Sequence, residues 1–154
     1  MRKAAGKFHT RDVIWAWLAA TLLSAIPSTL YALVTDGDPM EATRAAGAML
    51  LPHETSSAKL LAAAALVHPA VSLFWAIVLA IVLPLRRVTV WAVLASVAIA
   101  FLDLKVIAPL FFPQVAALAF WPQFADHVMW GACLGLTLHY RAFRRAREIA
   151  PPQI

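Results

Sequence analysis

The chain has 154 residues, a length that suits one domain; 62% are hydrophobic and only 14% charged. Soluble domains carry about 45–50% apolar and about 25% charged residues. At a mean hydropathy of +0.76, a chain this short cannot hide its apolar surface without lipid. The net charge of +5 would suit nucleic-acid binding in a soluble chain. Here the basic residues gather at the ends of apolar runs, so they read as membrane orientation and no nucleic-acid partner is expected. The lone cysteine, Cys133, excludes an intrachain disulfide and any zinc site built on several cysteines.

Four apolar runs follow in chain order, at about residues 13–34, 60–85, 88–108 and 122–140. A helix needs about 20 residues to cross roughly 30 Å of hydrocarbon, and open strands have no partners for their edges in lipid. The expected fold is all-α, one membrane domain over residues 1–154, a bundle of four transmembrane helices. The first run is longer than a signal-peptide core and no small-x-small site follows it, so it reads as a retained span. Pro27 and Pro69 lie inside spans, where neighbouring helices can satisfy the freed carbonyls.

Between the first two runs, Asp38-Pro39 with Glu41 is a helix-start signal. A short external helix is expected over 39–51, lying at the interface and stopped by Pro52. Between the third and fourth runs, Pro109, Pro113 and Pro122 break any long helix. The apolar stretch 115–121 is expected to dip into the interface or to pack over the bundle.

Arg2, Lys3, Lys7 and Arg11 precede the first run, Arg86 and Arg87 join the middle two, and Arg141, Arg144, Arg145 and Arg147 follow the last. With four spans all ten fall on one side, so the tails 1–12 and 141–154 are expected in the cytoplasm. The opposite side has Arg44 and Lys59 among Asp36, Asp38, Glu41 and Glu54.

Membrane helices meet through small residues spaced by four. Each run has such a stripe: Ala16, Ala20, Ser24 and Ser28; Ala64, His68, Ser72, Ala76 and Ala80; Ala92, Ser96 and Ala100, reaching Asp103; and His127, Gly131, Gly135 and His139. Gly131 and Gly135 form a GxxxG pair, read as close packing within the bundle. At about 1.5 Å per residue, His68 lies roughly 12 Å, and Asp103 and His127 roughly 8 Å, below the outer ends of their helices. His68, Ser72, Asp103, Asp126 and His127 therefore form the candidate polar cluster of the outer half, with His68, Asp103 and His127 hydrogen-bonded together. An ionisable residue inside a span costs about 2.5–3.5 kcal/mol on insertion scales, which makes it a functional candidate. Lys105 is expected to snorkel outward rather than pair with Asp103. Asp126 is read as complementing the dipole of the fourth helix.

No phosphate-cradling glycine loop, HExxH, GxSxG or paired CxxC occurs. No metal site and no enzyme activity are expected. His68 with Ser72, Pro109 with Pro113, and the run Asp126-His127-Val128-Met129-Trp130 resemble the YagU-like family of uncharacterised bacterial inner-membrane proteins. Asp126 stands where that family usually has glycine. The resemblance covers about half of the chain and implies a four-span inner-membrane protein, with no catalytic residues. Three function classes follow. One is a structural or accessory protein partnering lipid, other membrane proteins or itself. The second is a small transporter or channel using the His–Asp layer. The third is a haem b protein with His68 and His127 as axial ligands.

Overall fold

The computed structural model describes residues 8–149. Arg2, Lys3 and Lys7 of the expected N-terminal tail, and residues 150–154 of the C-terminal one, lie outside them. The regular structure of the described residues is all helical, with no strand. Their order is α1 (Thr10–Leu23), α2 (Ile26–Val34), α3 (Glu41–Ala48), α4 (Ser57–Val82) and α5 (Val88–Leu102). A π-helical turn (Asp103–Ile107), α6 (Ala108–Phe111), α7 (Pro113–Ala116) and α8 (Phe120–Ile149) complete it.

Three helical stretches are long and apolar enough to cross a membrane: Thr10–Val34, Ser57–Val82 and Val88–Phe111. Their surfaces are lipid-like, with Leu22, Val34, Leu66, Ile81, Leu110 and Phe111 all largely exposed. The fourth expected span falls within α8, which is long enough at 30 residues. Gln123, Asp126, His127 and its glycines make it less apolar than the other three. Position explains this composition: α8 packs between α5 on one side and α1 with α2 on the other, and α4 lies against α1. Gln123, Asp126 and His127 are thus partly covered by protein.

Two boundaries differ from the sequence expectation. Pro109 does not end the third helix, which runs on to Phe111. Proline cannot donate to the carbonyl four residues back and its ring crowds that carbonyl. The backbone widens just before it, and the Ala108 N–H bonds Asp103 O, five residues back. At the other end α8 begins at Phe120 and continues past Tyr140 to Ile149, so residues 141–149 are helix rather than a loose tail.

The first span breaks at Ser24–Ala25, ahead of Pro27. It ends in a Schellman-type turn, with Asp36 at φ 52 and Gly37 N–H bonded to Ala32 O at 2.8 Å. The external helix is shorter than expected, because residues 39–40 form a turn. The Asp38 carboxylate fixes that turn by accepting the Met40 N–H at 2.8 Å. It rests on α4: a Cβ on Gly47 would lie 1.9 Å from Leu60 O, so only glycine permits that approach.

The most extensive contact is between α5 and α8. Ala92, Ala100, Leu134 and Leu138 are fully buried there with Ser96. Gly131 lies against Ser96 and the Ala92 carbonyl, and Gly135 against Thr89 and Ala92. The GxxxG face is thus filled from within the chain.

Candidate functional site

The break in the first span creates two needs. A helix end leaves carbonyls without amide partners, and a helix start leaves amides without carbonyls. Each is met from a neighbouring helix. The Thr21 carbonyl faces His68 Nε2 of α4 at 3.2 Å and also accepts the Ser24 hydroxyl at 3.3 Å. The Ser28 N–H donates to Asp126 Oδ1 of α8 at 2.9 Å. Asp126 therefore caps α2 across the bundle rather than serving only its own helix. Sequence reasoning missed this partner, because the capped amide lies 98 residues away.

Ser72 joins the same seam. Its hydroxyl accepts the Trp130 indole N–H at 2.7 Å and shares a hydrogen bond with the Thr21 hydroxyl at 2.6 Å. The Trp17 indole donates to the Pro69 carbonyl at 3.0 Å. These bonds tie α1, α4 and α8 at one level.

Asp103 and His127 stand apart from this stitching. His127 Nε2 is 3.4 Å from Asp103 Oδ2, and its Nδ1 is 2.8 Å from the Gln123 carbonyl. Both ring nitrogens therefore face oxygen acceptors. A neutral imidazole has only one N–H to give, and a carbonyl can only accept. With Nδ1–H given to Gln123, closing the 3.4 Å contact as a hydrogen bond takes a second proton between Nε2 and the carboxylate. Asp103 is also the first residue of the π-turn, a distortion that often accompanies functional sites.

The expected three-member cluster is thus corrected: Asp103 and His127 meet, while His68 bonds the Thr21 carbonyl instead. The break in the first span accounts for it, since it frees the Thr21 carbonyl that His68 meets. Counted from the helix ends nearest α3, Asp103 lies about 12 Å and His127 about 10 Å in, but His68 about 16 Å. A double-mutant cycle between Asp103 and His127 should give about 0.6 kcal/mol, typical of hydrogen bonds between membrane helices. The cycle between Asp103 and His68 should be additive. Coupling of equal size in both cycles would contradict this division.

Lys105 sits over the Phe120 ring, 4.2 Å from its centroid. Beside it, Phe101, Phe120, Trp121 and Phe124 form an aromatic group at the start of α8. A cavity of about 70 Å³ opens at this end, lined by Ser28, Tyr31, Asp38, Glu41 and Gln123 among others. That is room enough for water. Two of its lining residues are direct partners of half-buried polar groups: Ser28 of Asp126, and Gln123 of His127.

Axial ligation of haem by His68 and His127 would require breaking a bond at His127, since both of its nitrogens are engaged. Among the described residues no three His, Cys, Asp or Glu side chains gather as a metal site. His53 and His139 are exposed.

At the opposite end Asp12 is buried, 5% exposed. It accepts Arg141 Nε at 2.8 Å on Oδ1 and pairs with Arg145 through Oδ2. This ion triad clamps α1 to α8. The sequence signal was available, an acid just ahead of the first apolar run amid bases, but nothing local names its partners. Comparison with family models, with curated proteins and with solved structures finds no match.

Proposed function

We propose that the chain is a four-span membrane protein with an accessory role, whose His127–Asp103 pair holds one exchangeable proton reached from the outer side. The carrying observation is the two acceptors around His127. Outer access is supported by the cavity above Ser28 and Gln123. A conduit is disfavoured by what lies beneath: Ala92, Ala100, Leu134 and Leu138 are fully buried. The Ser96 hydroxyl there turns back to Val93 O at 2.8 Å.

The fourth span in this reading is α8, and the resemblance to the YagU-like family is in keeping with it. Charge supports the orientation, with both termini cytoplasmic in the inner membrane. At the α3 end, Arg44 pairs with Asp38 and Lys59 with Glu54. Arg44 and the Met40 N–H hold the Asp38 carboxyl below its usual range. The Ser56 N–H and Lys59 do the same for Glu54. Arg44 and Lys59 are thus each matched by an acid, while Arg11, Arg86, Arg87 and the four arginines of 141–147 gather at the other end. No Ser–His couple supports an enzyme. The Ser72 and Ser28 hydroxyls bond Thr21 and Ala25, not His68.

The test is nitrogen NMR of labelled histidine in vesicles of known orientation. A pH step on the outer side should move the His127 ring signals, and a step on the inner side should leave them. Asp103→Asn and Asp103→Leu should abolish the response equally, since neither offers a carboxylate. A His127 signal unchanged by either substitution would remove the shared proton and this reading with it.

A further inference from the structure

Residues on one stripe of a helix ordinarily share one environment, and on α4 they do not. Ala64, Ser72 and Ala76 are buried, yet His68, on the same stripe between them, is exposed. No residue from 65 to 71 is buried. Packing explains the interruption. Near its start α4 rests on α3, where Leu60 meets Gly47. Beyond Ser72 it returns to the core through Ala76 and Leu79. By contrast, α2 packs on α8. A notch is thus left between α4 and the α2–α8 pair, at the level of the break in the first span. Ala25 of that break and Val71, one turn below His68, are exposed as well. The Ser72 seam closes the notch on its inner side, where the Trp17 and Trp130 indoles bond the Pro69 carbonyl and the Ser72 hydroxyl.

The polar groups of the notch describe what it takes. His68 stands on α4 and Asp126 on α8, and His68 and His127 are the bases whose charge acts on Asp126. Asp126 Oδ1 accepts the Ser28 N–H at 2.9 Å, a neutral donor. Among the described residues no lysine or arginine pairs with its carboxylate. His127 is directed to Asp103 and the Gln123 carbonyl instead, and His68 offers a charge only when protonated. A carboxylate within a span pairs as a rule with a positive charge, so the complement of this notch is a cation. Its walls define which. A hard metal ion takes about six or more oxygens, and among the described residues no three ligating side chains gather. Val71, Ala25 and the indoles suit an apolar body carrying one charge, with aromatic faces near it. His68 lies about 16 Å from the end of its helix, below the level of lipid head groups. The occupant therefore enters from the hydrocarbon and is not a lipid amine.

We propose that this notch binds a hydrophobic organic cation, held by the Asp126 carboxylate between α4 and α8 and admitted sideways from the bilayer. The site is distinct from the His127–Asp103 pair and does not depend on a proton shared there. The probe is radiolabelled benzyltrimethylammonium, with neutral neopentylbenzene as its isostere. Binding to the purified full chain in phosphatidylcholine nanodiscs is compared with empty nanodiscs at about pH 8, where an ordinary histidine is neutral. Wild type should bind the cation saturably and take up the isostere only as empty nanodiscs do. Asp126→Asn keeps an oxygen for the Ser28 N–H and removes the charge, and binding should fall about tenfold or more. Val71→Trp should fill the notch and do the same. Val82→Trp, exposed on the same helix about three turns further in, should not. Saturable binding that Asp126→Asn leaves unchanged would overturn the proposal, as would equal uptake of the isostere or no saturable binding by wild type. Displacement by sodium ions at the concentration of the probe would keep the carboxylate site but overturn the organic cation as its occupant. The comparison of cation with isostere needs only wild type and stands even if a variant does not fold.

Discussion

Gly131→Leu should separate α5 from α8 and cost more stability than any substitution on the lipid-facing surface. A Cβ at Gly131 would lie 2.2 Å from Ser96 Oγ, 2.6 Å from Ser96 Cβ and 2.8 Å from the Ala92 carbonyl oxygen. The hydroxyl can turn away, but the carbonyl is backbone and cannot. Alanine already clashes, and overpacking of this kind costs about 1–3 kcal/mol, with leucine at or beyond the upper end. Against that stands the gain in helix propensity, about 1 kcal/mol for glycine to alanine. For Gly131→Ala the clash should win by a small margin, and for leucine decisively. Ser96→Gly should rescue Gly131→Ala in part, because two of the three close atoms belong to Ser96. Gly37→Ala is the control: its nearest neighbours stand at 3.5 Å, ordinary contact. The measurement is thermal or denaturant unfolding in detergent. An unchanged midpoint for Gly131→Leu would mean the two helices do not meet at this face.

That face was the most legible part of the molecule. Small residues spaced by four on the third and fourth runs mark a seam without any knowledge of partners. They do so because close approach of two backbones excludes larger side chains at every turn. Hydrogen-bond topology was far less legible. The π-turn at Asp103 is a choice of carbonyl five residues back rather than four, made for the sake of Pro109. Composition shows the proline but not the accommodation. The break at Ser24–Ala25 decides the roles of His68 and Asp126, since it creates the carbonyl and the amide that they satisfy. Reading depth alone placed all the polar residues in one layer. It could not separate His68 and Asp126, which repair a helix break, from the Asp103–His127 pair.

The same limit applies to Asp12, whose partners are about 130 residues away in sequence, and it leads to an asymmetric expectation. The Asp12 side chain is 7% exposed, while Arg141 and Arg145 are each 25% exposed. Removing the acid leaves two long side chains that can turn toward water at the end of the bundle. Removing both arginines strands a carboxylate where it cannot follow. Breaking a buried pair by deleting one partner costs about 3–5 kcal/mol when the remaining charge is trapped. Arg141→Met/Arg145→Met should fall in that range, since methionine keeps much of the packing and none of the charge. Asp12→Asn should cost less, about 1–2 kcal/mol, because its partners can rehydrate. Combining Asp12→Leu with the two methionines should recover most of the loss of the arginine double variant, since no buried charge then remains. Unfolding of the four proteins in one detergent, at one salt concentration, gives the comparison. If Asp12→Asn were the most damaging of them, the arginines rather than the carboxylate would be the trapped charges. The clamp between α1 and α8 would then work in the opposite sense, with the carboxylate there to hold the arginines in place.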